Sequence, residues 1–301
     1  MLMKEQKHSF KSWFFATRPW SFPASAMPVL VTLAYLGWLG VDVNWGIGLW
    51  ALVNVVVFHA AANCWSDYLD YVKGVDREDT IGGLSITSGE FQAAEIKKLS
   101  LSLLAVAVAS GIALLLATGW PTLLLGLAGC ALILFYPWLK YHALGDVDIF
   151  LTYSVLPILG TSYVATGEFL LDALWLALPI GLITVGILHS NNTRDIEHDK
   201  RAGICTFAML IGKEASASVY AFEVLLPYAW IVAGACFGVF PWWSLIVLPT
   251  VKIALGNVRS AFKYPQEGFE ALVGVDEKTA QLQLAFSLLL TVSLFIDKLL
   301  S

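Results

Sequence analysis

Nine apolar runs divide this chain of 301 residues, at roughly 22–40, 46–65, 98–118, 121–139, 147–166, 173–191, 215–237, 241–258 and 280–299. Crossing the hydrocarbon of a bilayer as a helix takes about 20 apolar residues, within a range of roughly 17 to 25. Every run meets that length. The links at Gly119-Trp120-Pro121 and Phe240-Pro241 are so short that they make helical hairpins. The expected fold is therefore all-α, a multi-span transmembrane helical bundle of about nine helices with polar cytoplasmic loops after helices 2 and 6. Only 14% of residues are charged, against about 25% in a soluble domain. Cys64, Cys130, Cys205 and Cys236 are scattered, which supports neither a thiolate metal centre nor a disulfide framework. No prenylation box ends the chain, and Met1 to Trp13 is polar and basic without a signal-peptide apolar centre, so targeting is expected to fall to the first span.

Charge sorts by side. With nine spans, all but one of the 18 Lys and Arg residues fall on the face that carries the N-terminus and the long links 66–97, 192–214 and 259–279. The exception is Lys298. The opposite links carry Asp42, Glu168 and Asp172. The positive-inside rule then puts the N-terminus and the long links in the cytoplasm. The localisation expected is a bacterial or archaeal inner membrane.

Two acidic stretches lie on that cytoplasmic face. Asn63, Asp67 and Asp70 close the second run and lead on to Lys73, Gly74, Asp76 and Arg77. Asn191, Asn192, Arg194, Asp195, Asp199 and Lys200 follow the sixth. Asn191, Asp195 and Asp199 are spaced i, i+4, i+8, which stacks them on one face of a continuous helix. Carboxylates at a membrane helix are costly without a cationic partner. The Asn-x-x-x-Asp start occurs in both stretches, four helices apart. The whole chain, 1–301, thus reads as one domain with an internal duplication, helices 1–4 and 5–8.

Clustered carboxylates facing a polar cavity suit Mg2+, a hard ion that shares itself between a few carboxylates and substrate phosphates. The expected metal ligands are Asp67, Asp70, Asp76, Asp195 and Asp199. Cationic side chains among them suit the remaining charge of a diphosphate. A lipid diphosphate fits this layout, its head at the carboxylates and its tail between the helices. Arg18, Lys73, Arg77, Lys140, Arg194 and Lys200 are candidate substrate contacts, with Asn63, Asn191 and Asn192. Tyr136, just before Pro137 at the cytoplasmic end of the fourth span, is the candidate aromatic face for a cation. Asp146 reads as a helix cap, and His59 and His189 as packing histidines. Phe91 to Leu99 reads as a separate amphipathic helix over the site.

These stretches resemble the motifs of the UbiA superfamily of intramembrane prenyltransferases, and within it the MenA-like enzymes that prenylate 1,4-dihydroxy-2-naphthoate. The matching pieces are Asp67-Tyr68-Leu69-Asp70-Tyr71-Val72-Lys73-Gly74-Val75-Asp76, Leu144-Gly145-Asp146-Val147-Asp148, and Asn191 through Gly203, with Arg18-Pro19-Trp20 at the start. Ser66, Leu69, His198 and Cys205 differ from the common pattern. The resemblance implies Mg2+-dependent transfer from a polyprenyl diphosphate, with Asp67, Asp70, Asp195, Asp199 and Tyr136 as catalytic residues. In the MenA case the product is demethylmenaquinone, and diphosphate and CO2 are lost. Two alternatives stay open. The acceptor could be 4-hydroxybenzoate, a tetrapyrrole or a glycerol-phosphate lipid, or the intramembrane carboxylates could serve an ion-coupled secondary transporter. The partners expected are a polyprenyl diphosphate, an aromatic acceptor and membrane lipid, with no nucleic acid.

Overall fold

The computed structural model describes residues 8–74, 84–201 and 203–301. Among them, nine helices are long and apolar enough to cross a membrane. In chain order, spans 1 to 9 are Pro19–Trp38, Trp45–Val72, Ala93–Thr118, Pro121–Tyr141, Gly145–Thr166, Leu171–Arg194, Lys213–Cys236, Trp242–Leu272 and Val275–Leu300. The described residues form no strand, only an isolated bridge between His142 and Cys205.

Several helices outrun their apolar stretches at the polar-link end. Span 2 continues to Val72, so Asp67 and Asp70 stand on the helix itself rather than in a loop. Span 3 begins at Ala93 with a capping box, in which Gln92 and Glu95 satisfy each other's backbone N–H groups. Phe91 to Leu99 is therefore no separate helix over the site. Its second part is the first turns of span 3, and Phe91 is buried against Trp13 and His8. Span 8 runs to Leu272, well past the expected end at 258, because its last turns are amphipathic rather than apolar.

Span 5 carries a π turn over Leu151–Val155, directly before Pro157. The proline nitrogen has no hydrogen to offer the Tyr153 carbonyl, and the wider turn takes up the mismatch. The main core joins spans 1, 6, 7, 8 and 9 around Tyr35, Ile180, Tyr220, Phe286 and Leu290. Span 4 buries none of its most apolar window and span 3 only 17%. These two therefore lie at the periphery of the bundle.

Close helix contact fixes one glycine. A Cβ on Gly181 of span 6 would stand 2.6 Å from the Phe150 ring and 2.8 Å from Ser154 Oγ on span 5. Gly181→Ala is expected to destabilise the protein by about 1–3 kcal/mol. Thermal melting in detergent checks this, and Phe150→Leu in the same chain should recover part of the loss. An unchanged melt would mean the two spans part freely.

Candidate active site

The end of span 2 and the turn before span 1 are stitched together. Arg18 precedes Pro19, which disfavours the right-handed helical conformation for it. Arg18 instead adopts left-handed dihedrals, φ 56 and ψ 58. Asn63 Nδ2 donates to the Thr17 carbonyl at 3.0 Å and to Ser21 Oγ at 2.9 Å. Ser21 Oγ in turn donates to the Arg18 carbonyl at 2.8 Å. The pinned turn brings the Arg18 guanidinium into an ion pair with Asp67, whose side chain is 2% exposed.

Asp70 is held differently. It accepts long hydrogen bonds from Ser66 Oγ and Tyr141 Oη, each 3.3 Å. Lys73 lies over the Tyr141 ring, its ammonium 4.9 Å from the centroid. Gly74, at φ 71, turns the chain out of the helix. The expected ligand Asp76 and the expected contact Arg77 lie outside the described residues.

The second motif does not form one continuous helix. Span 6 ends at Arg194, Asp195 occupies its C-cap, and a short helix Ile196–Arg201 follows. Asn191, Asp195 and Asp199 therefore do not stack as expected. The reason is an adjacent-residue clasp. Arg194 Nε and Nη2 donate to the two oxygens of Asp195 at 2.9 and 2.8 Å. Side chains at i and i+1 diverge on a helix, so the clasp needs the helix to end there. Arg194 Nη1 also donates to Asp276 of span 9 at 2.9 Å. With its side chain 3% exposed and shared by two carboxylates, Arg194 clamps the end of span 6 to span 9. Asn191 Nδ2 turns to the same Asp276, at 3.3 Å. Asn192 is buried, and its Oδ1 has no hydrogen-bond partner.

Asp199 is buried just beyond the break. Its surroundings join the two motifs, for it feels the charges of Lys140, Asp195, Asp70 and His198. Burial first, then the carboxylates of Asp195 and Asp70, push its carboxyl up to about 6, against the opposing pull of Lys140 and His198. Lys140 reaches this region because the link after span 4 is tied to the segment after the motif through the His142–Cys205 bridge. Lys200 is exposed on the short helix.

The described motif aspartates thus sort into two kinds. Asp67 and Asp195 each face an arginine. Asp70 and Asp199 have no Lys or Arg partner within 4.0 Å among the described residues, although each lies in the other's field. Both offer carboxylate oxygens, the donors that a hard divalent ion takes. Tyr136 of span 4 is half-buried in the same field, within reach of Asp70, Asp146, Asp148 and Arg18.

Below the carboxylates lies an apolar cavity of about 340 Å³. Spans 1 to 5 line it, with Phe58, Leu115, Ile133, Tyr153 and Leu156 among the walls. His59 sits at its wall, bonded to Ser25 Oγ at 2.9 Å and edge-on to Tyr153. His59 is thus a packing histidine with partners, one turn before Asn63.

Sequence reasoning missed Asp276 and Tyr141. Asp276 reads as an ordinary acid in a helix's first turn, and Tyr141 as one more interfacial aromatic. Their partners lie 82 and 71 residues away in sequence, so no local pattern marks them.

A sequence model of the UbiA prenyltransferase family matches residues 25–270. The UbiA prenyltransferase domain-containing protein 1 homolog of Drosophila melanogaster is 31% identical over 298 residues, covering 94% of this chain and 79% of that protein. The 1,4-dihydroxy-2-naphthoate octaprenyltransferase of Bacillus subtilis (strain 168) is 26% identical over 287 residues, covering 93% and 91%. Among solved structures, a UbiA homolog from Archaeoglobus fulgidus bound to DMAPP and Mg2+ superposes with a TM-score of 0.60 at 14% identity, over 93% of this chain and 99% of that one. At that identity the likeness concerns the fold.

Proposed function

The chain belongs to the UbiA prenyltransferase family, and from that premise we propose that it transfers a polyprenyl group from its diphosphate to 1,4-dihydroxy-2-naphthoate. The observation that carries the reading is the pair Asp70 and Asp199, with no Lys or Arg partner within 4.0 Å among the described residues, above an apolar cavity. The Bacillus relative, a 1,4-dihydroxy-2-naphthoate octaprenyltransferase, supports the acceptor. The Archaeoglobus homolog, bound to DMAPP and Mg2+, supports the donor class and the ion.

In this reading Asp70 and Asp199 hold Mg2+, with Asp67, Asp195 and Asp76 completing or orienting its shell. Bound there, Mg2+ would draw charge from the diphosphate and weaken the allylic C–O bond. The chain's own side chains do the rest. Arg18, Lys73, Arg77, Lys140 and Lys200 balance the diphosphate charge. Asn191 and Asn192 line the same end of span 6. Tyr136 presents its ring to the cationic end of the prenyl fragment, and the apolar cavity takes the tail and keeps water away. The ring carbon bearing the acceptor's carboxyl forms the new C–C bond, and diphosphate and CO2 leave. The positive-inside asymmetry supports a cytoplasmic face for this chemistry. Helices 1–4 and 5–8, each with its own acidic motif, read as two copies of one ancestral half.

The pH response follows from Asp199. Its raised carboxyl, at about 6, is protonated in the folded protein before the unfolded chain takes up the same proton. At this group the metal-free fold therefore gains stability as pH falls from about 6 toward about 4, and loses it as pH rises through that window. Mg2+ must displace the proton. Its apparent affinity, measured by calorimetry, is expected to weaken about tenfold per pH unit below about 6. A flat profile from pH 7 to 5 would remove Asp199 from the metal site.

The assignment is tested by incubating membranes that hold the protein with labelled polyprenyl diphosphates and one acceptor at a time. With dihydroxynaphthoate, the expected product mass is the sum of prenyl group and acceptor less CO2. No such product, with turnover of 4-hydroxybenzoate, a tetrapyrrole or a glycerol-phosphate lipid, would overturn the acceptor and keep the family chemistry.

A further inference from the structure

One cluster of charge in the bundle supplies no ligand to the aspartate site above. Asp146 opens span 5, His189 lies near the end of span 6 and Glu223 lies within span 7. One ligand atom from each falls within 4.8 Å of the other two. His189 is fully buried, and the side chains of Glu223 and Asp146 are only 6% and 12% exposed. Asp146 was expected to cap its helix, but it makes no cap bond and turns its carboxylate to His189.

The histidine's hydrogen bonds decide what the cluster can hold. Nε2 faces the Ser216 carbonyl at 3.2 Å. A carbonyl only accepts, so Nε2 carries the hydrogen. Nδ1 then faces Asp146 Oδ2 at 2.8 Å and Glu223 Oε1 at 3.8 Å. In a neutral imidazole Nδ1 would be a lone pair aimed at two carboxylates, three acceptors with nothing between them. Asp146 Oδ1 and Glu223 Oε2 are buried and have no hydrogen-bond partner either. No Lys or Arg lies within 4.0 Å of the trio among the described residues, and the charges that Glu223 feels are those of His189 and Asp146. Two carboxylates therefore stand buried around one imidazole.

We propose that Asp146, His189 and Glu223 form a second, structural site for a borderline divalent cation, of the zinc or manganese class, separate from the oxygen-only aspartate site. One nitrogen and two carboxylates are the donors that such ions accept and that Mg2+ does not favour. A metal-bound histidine characteristically donates its other N–H to a backbone carbonyl or carboxylate, which is the role of Ser216 here. A divalent charge neutralises the trio without any proton, whereas a single proton would leave it negative in the membrane. The ion would tie spans 5, 6 and 7 together one turn below Asn191 and Asn192.

The experiment uses the full chain in detergent, stripped with a chelator, dialysed, and loaded with Mn2+ in an Asp70→Asn/Asp199→Asn background that cripples the aspartate site. Metal analysis is expected to find about one Mn2+ retained, and pulsed EPR to show nitrogen-14 modulation from an imidazole ligand. Adding Glu223→Gln or His189→Ala should weaken retention by at least roughly tenfold, and His189→Ala should erase the modulation. His198→Ala, which changes the histidine beside Asp199, should leave it. No retained Mn2+, or Mn2+ without nitrogen coupling, would overturn the site and leave two protons as the charges that neutralise the trio. Should His189→Ala fail to fold, the background protein and Glu223→Gln still decide.

Discussion

Asp70→Asn and Asp199→Asn are each expected to lower prenyl transfer by about a thousandfold while the protein stays folded in the membrane. Charge stabilisation of a leaving diphosphate is worth several kcal/mol, and loss of one positioned electrostatic group commonly costs about 100- to 1,000-fold. Neither residue has a Lys or Arg partner within 4.0 Å among the described residues, so neutralising it breaks no ion pair among them. Asparagine even removes like-charge repulsion between the two motifs, and melting temperature should hold or rise slightly. Asp195→Asn should behave otherwise, because it loosens a buried arginine that donates to Asp195 through Nε and Nη2. Turnover under saturating Mg2+, measured alongside thermal melting, separates the two classes. Near-wild-type turnover in Asp70→Asn would sink the metal-site assignment.

Arg18→Ala is the second large effect, and it falls on stability. The change leaves Asp67, 1% exposed as a residue, without its guanidinium. Removing one member of a buried ion pair typically costs about 3–5 kcal/mol, because the remaining charge is neither solvated nor paired. A loss of about 3 kcal/mol is expected, read as a lower melting temperature in detergent. Adding Asp67→Asn should recover most of it, and a double variant no more stable than the single one would falsify the ion-pair account. The left-handed backbone at Arg18 gives an internal control. Glycine adopts that conformation without strain, so Arg18→Gly should be about 1 kcal/mol more stable than Arg18→Ala.

These two residue pairs also mark where sequence stops being informative. The nine spans are legible because apolar length is a local property, and the motif helices are legible because Asn-x-x-x-Asp recurs. Charge asymmetry between links fixes span parity without any contact information. The partner of each aspartate is another matter. Arg194 sits beside Asp195 in sequence, and helical geometry argues against their meeting, yet the helix ends so that they do. Asp276 reaches Arg194 across 82 residues, a distance that only the packing of span 9 against span 6 closes. The stretch Phe91 to Leu99 misled for the opposite reason. Its polar residues resemble an interfacial helix, but the capping pair Gln92 and Glu95 starts span 3 inside them.

The reach of Asp276 bears on how the protein is made. The ribosome completes span 6, with Arg194 and Asp195 at its end, well before it produces span 9. Until that helix inserts, Arg194 has one carboxylate instead of two, and Asn191 has no acceptor on that side. Span 9 also closes on the first span, where Trp38 Nε1 donates to Asp297 at 2.8 Å. One helix thus latches both the earliest part of the bundle and the second acidic motif. A nascent chain would carry both motifs in the membrane yet stay catalytically immature, acquiring its final head-group geometry only once span 9 has inserted.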